Sequence, residues 1–200
     1  MNTPNKLTVL RMILVPFFVA SLLAGDSLPH HNLIALVIFA AASYTDHLDG
    51  KIARSRNLVT TFGKFMDPLA DKIMVISALV CFVSQGLANV WLVLLSIFRE
   101  FMVTSVRLVA ADTGVVVAAN NWGKAKTVSQ IVAILFVLFF RYLLELVSLG
   151  ILPAFTVFGG EAAFWFALFG NVLLWIATIL AVISGIIYLK QNWKIVAREM

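Results

Sequence analysis

Four aspartates, Asp46, Asp49, Asp67 and Asp71, fall within 26 consecutive residues of this 200-residue chain. The first two are three positions apart and the last two are four apart, so each pair shares one face if its segment is helical. Both segments are apolar, and an aspartate at the centre of a membrane-spanning helix costs about 2.5–3.5 kcal/mol. Because hard divalent cations prefer carboxylate and phosphate oxygens, a pair of such ions would offset this cost and the repulsion between the acids.

The residues beside the first pair suit a ligand that carries phosphate. Gly50 and Ala53 continue the face of Asp46 and Asp49 and leave room for a ligand against the backbone. Arg54 follows, and its guanidinium can donate paired hydrogen bonds to phosphate oxygens.

An ion path is the other interpretation of these acids. Ionisable residues inside membrane helices mark the routes of ions through pumps and transporters, where they pair with one another. In a cation or proton transporter, Asp46 would pair with Arg54. Replacement of Asp71 by Asn would then change ion flux and leave lipid composition unaltered.

The elements that must position these residues are membrane-spanning helices. The chain is 62% hydrophobic and 12% charged, with a mean hydropathy of +0.99, which leaves too little polar surface for a soluble fold. We therefore predict an all-α membrane protein of one domain, residues 1–200, with six transmembrane helices near 7–24, 32–55, 64–84, 89–111, 123–146 and 162–189. The first ten or so residues could instead form a helix on the membrane surface.

Charge placement predicts the orientation. Of the 15 Lys and Arg residues, all but Arg99 and Arg141 fall near the helix ends and loops on the side that holds the N-terminus. Cytoplasmic loops are enriched in Lys and Arg, so both termini and the aspartates are expected on the cytoplasmic side of the cell membrane. In a chain this apolar, the net charge of +5 favours anionic lipid or a phosphorylated substrate as partner, and not nucleic acid.

The aspartates and their neighbours form a longer motif. It reads Asp46-x-x-Asp49-Gly50-x-x-Ala53-Arg54, then eight residues, then Gly63-x-x-x-Asp67-x-x-x-Asp71. This resembles, without a departure, the signature of the CDP-alcohol phosphatidyltransferase family, and the number of spans and the charge placement extend the resemblance over the chain. The family implies a transferase of phospholipid biosynthesis, in which an acceptor hydroxyl attacks the lipid-bearing phosphorus of a CDP-linked donor and CMP is released.

The resemblance implies roles for the acids and a homodimeric assembly. The four aspartates would hold two divalent ions, Mg²⁺ or Mn²⁺, with Asp46 and Asp67 shared by both ions. Asp49 would complete the set around the first ion and Asp71 the set around the second. Asp71 would also be the general base that takes the proton of the acceptor.

Contacts to the CDP-lipid follow from the same resemblance. Gly50, Arg54 and Thr60 would contact the nucleotide. The N-terminal segment Pro4-Asn5-x-Leu7-Thr8-x-x-Arg11 also resembles a family segment that lies near the nucleotide, which adds Asn5 and Thr8 to this set.

Basic residues on the fourth and fifth predicted helices indicate an anionic acceptor. Arg107, Lys124 and Lys126, with Arg99 deeper, would form its phosphate pocket on the side of the aspartates. These segments resemble those of family members that use CDP-diacylglycerol with glycerol 3-phosphate as acceptor. The alternatives within the family are phosphatidylglycerol, which gives cardiolipin, and inositol phosphate.

Several other ionisable residues receive no role from the sequence. Glu145 is expected near the outer rim, and His30 and His31 are expected to be solvated in an outer loop. Glu100 is expected to point away from its neighbour Arg99.

Overall fold

A computed structural model describes residues 3–55, 61–112 and 121–197 of the chain. Side chains within these ranges are described except at 3–4, 26, 47–55, 61–65, 67–68, 71, 111–112 and 194–196.

Six long helices make up the described fold, as the sequence predicts. Their bounds are α1 Thr3–Leu23, α2 His31–Ser55, α3 Thr61–Ser84, α4 Val90–Asp112, α5 Asn121–Ser148 and α6 Ala162–Val196. A short 3-10 helix follows α1 at Gly25–Ser27. A small antiparallel hairpin, β1 Thr156–Val157 and β2 Gly160–Glu161, joins α5 to α6 and was not predicted.

Length and composition make the helices suited to a membrane. Among the described residues, the stretches Asn5–Leu23, Asn121–Ser148 and Ala162–Trp193 are long and apolar enough to cross a bilayer by hydropathy alone. The helices α2, α3 and α4 have 25, 24 and 23 residues, which exceeds the span length of about 20, but their charged residues lower their hydropathy.

The first helix is one continuous element. It runs without a break from Thr3 through Pro16 to Leu23, so the first residues continue into the apolar stretch as one helix. Proline is tolerated inside membrane helices, where neighbouring helices satisfy the freed backbone carbonyl.

The helices pack around a central apolar core. α1 contacts both α2 and α3, α5 contacts α2 and α6, and α6 also contacts α4. Phe18 and Phe39 join α1 to α2, with ring centroids 5.8 Å apart. Gly185 lets α4 approach α6 closely, because a Cβ there would lie 2.8 Å from Met102 Cε and 3.0 Å from Arg99 Cγ. This approach brings Arg99 against α6.

At the end of the bundle where α1 ends, a carboxylate from α5 caps α2. Glu145 is 9% exposed and accepts hydrogen bonds from the backbone N–H groups of His31 at 2.9 Å and Asn32 at 3.1 Å. These groups belong to the first turn of α2, where helix amides have no partner within the helix. Two expectations were therefore wrong: His31 is buried at 7% exposure, and Glu145 is a structural tie between helices.

Candidate active site

An ion pair joins α1 to α2 at the opposite end of the bundle, where α1 begins. Arg11 Nη1 lies 2.6 Å from Asp46 Oδ1. The arginine side chain is 2% exposed, whereas that of Asp46 is 39% exposed, so one acid of the aspartate motif remains accessible while its partner is enclosed. Thr8 and Asn5, about one and two turns earlier on α1, are also buried. We call this the basic end of the bundle, after Arg11, Arg99 and Lys126 inside it.

The remaining residues of the motif are described by their backbone alone. The helix α2 extends to Ser55 and α3 begins at Thr61, so both aspartate pairs lie in helices at the spacing of one face. The side chains of Asp49, Gly50, Arg54, Asp67 and Asp71 are outside the described residues, and Thr60 lies wholly outside them.

The donor set is compatible with divalent ions. No group of three or more His, Cys, Asp or Glu could hold a metal among the side chains that the structure describes, a set that includes Asp46 but not the other three motif aspartates. Asp46 borders a small cavity with Arg11, Ser43 and Met74. An exposed carboxylate beside a cavity, on helices that carry three further acids, offers the oxygen ligands that Mg²⁺ and Mn²⁺ prefer.

Glu100 joins two basic residues at the basic end. Arg99 Nη1 donates to Glu100 Oε1 at 2.9 Å, and Lys126 Nζ of α5 donates to the same oxygen. Arg99 Nη2 also donates to Ser184 Oγ of α6 at 2.8 Å. The expectation that Glu100 points away from Arg99 was therefore wrong, because both long side chains bend toward the same point between α4, α5 and α6.

A cavity of about 40 Å³ adjoins this cluster. It lies between α3, α4 and α5 and is lined by Lys72, Val75, Ile76, Ser96, Glu100, Lys126, Thr127 and Gln130. Val75 also borders the cavity next to Asp46, so the two cavities are neighbours. The helix α3 therefore borders both the cavity at Asp46 and the cavity at the basic cluster.

The four residues predicted to bind the acceptor phosphate do not all come together. Arg99 and Lys126 meet at Glu100, and they are 8% and 6% exposed. Arg107 is exposed and packs on Tyr188, with its Nε donating to the phenol oxygen at 3.3 Å and its Cζ 5.6 Å from the ring centroid. Lys124 is exposed at the surface, near the start of α5.

Sequence reasoning missed the polar residues that accompany these cations. Glu100, Ser96 and Gln130 line the cavity with Lys126, and Ser184 supports Arg99 from α6. A signal was present, since Ser96 and Glu100 are four positions apart on one helix and Lys126 and Gln130 are four apart on another. Such spacing predicts two polar faces but not that they meet.

Comparisons with known proteins agree with this architecture. A model of the CDP-alcohol phosphatidyltransferase family matches residues 1–183. The chain is 42% identical over 203 residues to the CDP-diacylglycerol–glycerol-3-phosphate 3-phosphatidyltransferase of Bacillus subtilis, with 96% of each chain covered. It is 32% identical to the protein of that name from Rickettsia felis, again with 96% of each covered. For the Pseudomonas fluorescens protein of that name the identity is 36%, over 96% of this chain and 91% of the relative.

Proposed function

The chain belongs to the CDP-alcohol phosphatidyltransferase family, and we propose that it transfers the phosphatidyl group of CDP-diacylglycerol to sn-glycerol 3-phosphate. The products are phosphatidylglycerophosphate and CMP. The observation that carries the choice of acceptor is the pair of buried cations, Arg99 and Lys126, held at one carboxylate beside the aspartate helices. Relatives named for this reaction, one of them 42% identical over 96% of both chains, support it.

The reaction takes place at the cytoplasmic side of the cell membrane in this proposal. The sequence predicts nearly all Lys and Arg residues on the side of the membrane that holds the N-terminus, and cytoplasmic segments are enriched in these residues. Both termini then lie in the cytoplasm, where glycerol 3-phosphate is soluble, while the lipid donor enters from the bilayer. We also propose a homodimer, which the family resemblance suggests.

The donor binds along α1, α2 and the segment between α2 and α3. Asn5 and Thr8 contact the CDP part from α1, and the family resemblance adds Gly50, Arg54 and Thr60 to the residues that contact it. Arg11 holds Asp46 at the junction of α1 and α2. Because Arg11 is enclosed and Asp46 is accessible, the pair orients a carboxylate toward the ligand without placing the guanidinium in its path.

Asp46, Asp49, Asp67 and Asp71 would hold two divalent ions, Mg²⁺ or Mn²⁺. Bound there, such ions neutralise the diphosphate and the charge that develops on it.

Chemistry begins at the acceptor hydroxyl. Asp71 accepts its proton, and the hydroxyl oxygen forms a bond to the phosphorus that carries diacylglycerol while the bond from that phosphorus to CMP breaks. Arg99 and Lys126 bind the acceptor phosphate within the bundle. Arg107 and Lys124, which are exposed nearer the helix ends, attract the anion toward that site.

The test is release of CMP by purified protein supplied with CDP-diacylglycerol and one acceptor at a time. We expect release with sn-glycerol 3-phosphate, none with inositol phosphate or phosphatidylglycerol, and loss of activity with a chelator that Mg²⁺ or Mn²⁺ reverses. Release with another acceptor alone would change the acceptor but keep the reaction. Absence of release with every acceptor, together with ion flux in vesicles, would identify a transporter.

A further inference from the structure

We propose that Glu100 occupies the place of the acceptor phosphate when no acceptor is bound and sets the affinity of the site for that phosphate. The inference rests on the proposed function and adds a residue to it. In this view an entering phosphate competes with the Glu100 carboxylate for Lys126, so Glu100 lowers the affinity of the site for phosphate.

The first observation is an excess of positive charge. Among the described side chains, Arg99 and Lys126 share one oxygen of Glu100, so two cations meet one carboxylate at this contact. Their side chains are 10% and 8% exposed, and that of Glu100 is 14% exposed. Burial of an unbalanced charge is costly, so the cluster is suited to one more anion. A phosphate monoester carries a charge of about −1.5 to −2 near pH 7, whereas glycerol carries none.

The second observation is a pair of buried donors without partners. Ser96 Oγ and Arg99 Nε make no hydrogen bond to any residue that the structure describes, although both atoms are enclosed. Ser96 is 2% exposed and lines the cavity beside Glu100 and Lys126. Buried donors are nearly always paired, so an oxygen acceptor of a ligand in this cavity would satisfy Ser96, whereas Arg99 Nε lies against Gly185 of α6.

The contacts of Glu100 indicate which of its two cations the acceptor phosphate can displace from the carboxylate. Arg99 is held independently by Ser184 and by the close approach of α6 at Gly185. Lys126 has a flexible stem and comes from another helix, and its ammonium is a point charge that can change partners without loss of geometry. The acceptor phosphate therefore takes Lys126 from the carboxylate, while Arg99 keeps its position.

The experiment compares Glu100→Gln and Glu100→Asp with the wild type. The first removes the competing charge at constant size, and the second keeps the charge but shortens its reach toward Lys126. We expect the KM for sn-glycerol 3-phosphate to fall by about tenfold in Glu100→Gln and by less in Glu100→Asp, since a hydrogen bond to a charged group contributes an energy of this order. The KM for CDP-diacylglycerol should stay unchanged, and inorganic phosphate should inhibit at a lower concentration. Glu161→Gln, an exposed acid at the opposite end, is the matched control.

Binding measured without turnover separates this inference from the proposed function. Stabilisation of the purified protein against heat by inorganic phosphate or sn-glycerol 3-phosphate, with glycerol as the uncharged control, needs no donor. Tighter phosphate binding by Glu100→Gln supports the inference even if the wild type releases no CMP with glycerol 3-phosphate. The inference is overturned if both variants bind phosphate with unchanged or lower affinity, or show an unchanged or higher KM. That result is expected of a residue that only holds Lys126 in place, because its replacement would weaken phosphate binding. If Glu100→Gln fails to fold, the same measurements on Glu100→Asp decide: a lower KM and tighter phosphate binding support the inference, and unchanged or weaker binding overturns it.

Discussion

Arg11 of α1 and Asp46 of α2 form an ion pair that is enclosed at one partner and open at the other, with 2% and 39% of their side chains exposed. The pair joins the N-terminal helix to the first acid of the aspartate motif. Because the guanidinium is enclosed, the contact contributes to the fold as well as to the orientation of the carboxylate.

Replacement of Arg11 by Gln should therefore destabilise the protein. Loss of one partner of a buried pair costs several kcal/mol, and the exposure of Asp46 reduces this to about 1–3 kcal/mol. We expect a lower midpoint of thermal unfolding in detergent for Arg11→Gln than for Lys6→Gln, which alters an exposed residue of the same helix. Equal midpoints for the two variants would show that the pair contributes nothing to stability.

Replacement of Asp71 by Asn should abolish the proposed proton transfer without removing the donor site. General-base catalysis contributes about 10²–10⁴-fold to a rate, so CMP release should fall by at least a hundredfold in this variant. Binding of CDP-diacylglycerol, measured separately, should weaken much less than the rate falls. Glu161→Gln is again the control, and a variant Asp71→Asn with near wild-type turnover would exclude the assigned role.

Truncation of Glu145 to Ala should loosen the start of α2. The change leaves the N–H group of Asn32 without its Glu145 acceptor and that of His31 with only the Leu28 carbonyl at 3.2 Å, which costs about 1–3 kcal/mol. The unfolding midpoint should drop, and the KM for both substrates should stay near the wild-type value. Ser148→Ala is matched, because it removes only a hydrogen bond from Ser148 Oγ to the Glu145 carbonyl. A similar midpoint of thermal unfolding for both variants would contradict the stabilising role of the Glu145 cap.

Orientation in the membrane can be tested with introduced cysteines. The native Cys81 is 4% exposed and should react slowly, so a new thiol reports its own position. Glu161 and Gln191 are both exposed but lie near opposite ends of α6. A membrane-impermeant maleimide should label Glu161→Cys in intact cells and Gln191→Cys only after the cells are opened. The reverse pattern would place the basic end outside.

The helices were predictable because long apolar runs and their breakers set their bounds. The fourth span was predicted at 89–111 and α4 is observed at Val90–Asp112. The hairpin between α5 and α6 gave no such signal, since each of its strands has two residues. The prediction of a helical placement for each aspartate pair is confirmed, and the roles of the acids remain predictions.

The polar contacts inside the bundle were harder to predict, because they join residues distant in the sequence. Lys126 is 26 positions from Glu100, and Glu145 is 114 from His31. Spacing rules report which residues share a helix face, but the meeting of two faces depends on how whole helices pack. The contact between Arg99 and Glu100 was also predicted wrongly. The Cα–Cβ bonds of adjacent helical residues diverge, but two long side chains can still converge.

The cap by Glu145 has a consequence for the lipids around the enzyme. Asp46 lies 15 residues beyond His31 on α2, or about 22 Å along the axis at 1.5 Å per residue. Because α2 is tied to α5 at its first turn, it cannot slide lengthwise when the bilayer becomes thinner or thicker. The mismatch is instead met by tilt of the bundle or by deformation of the surrounding lipid. The distance from the capped turn to Asp46 is thus set by the helix itself and not by the thickness of the surrounding bilayer.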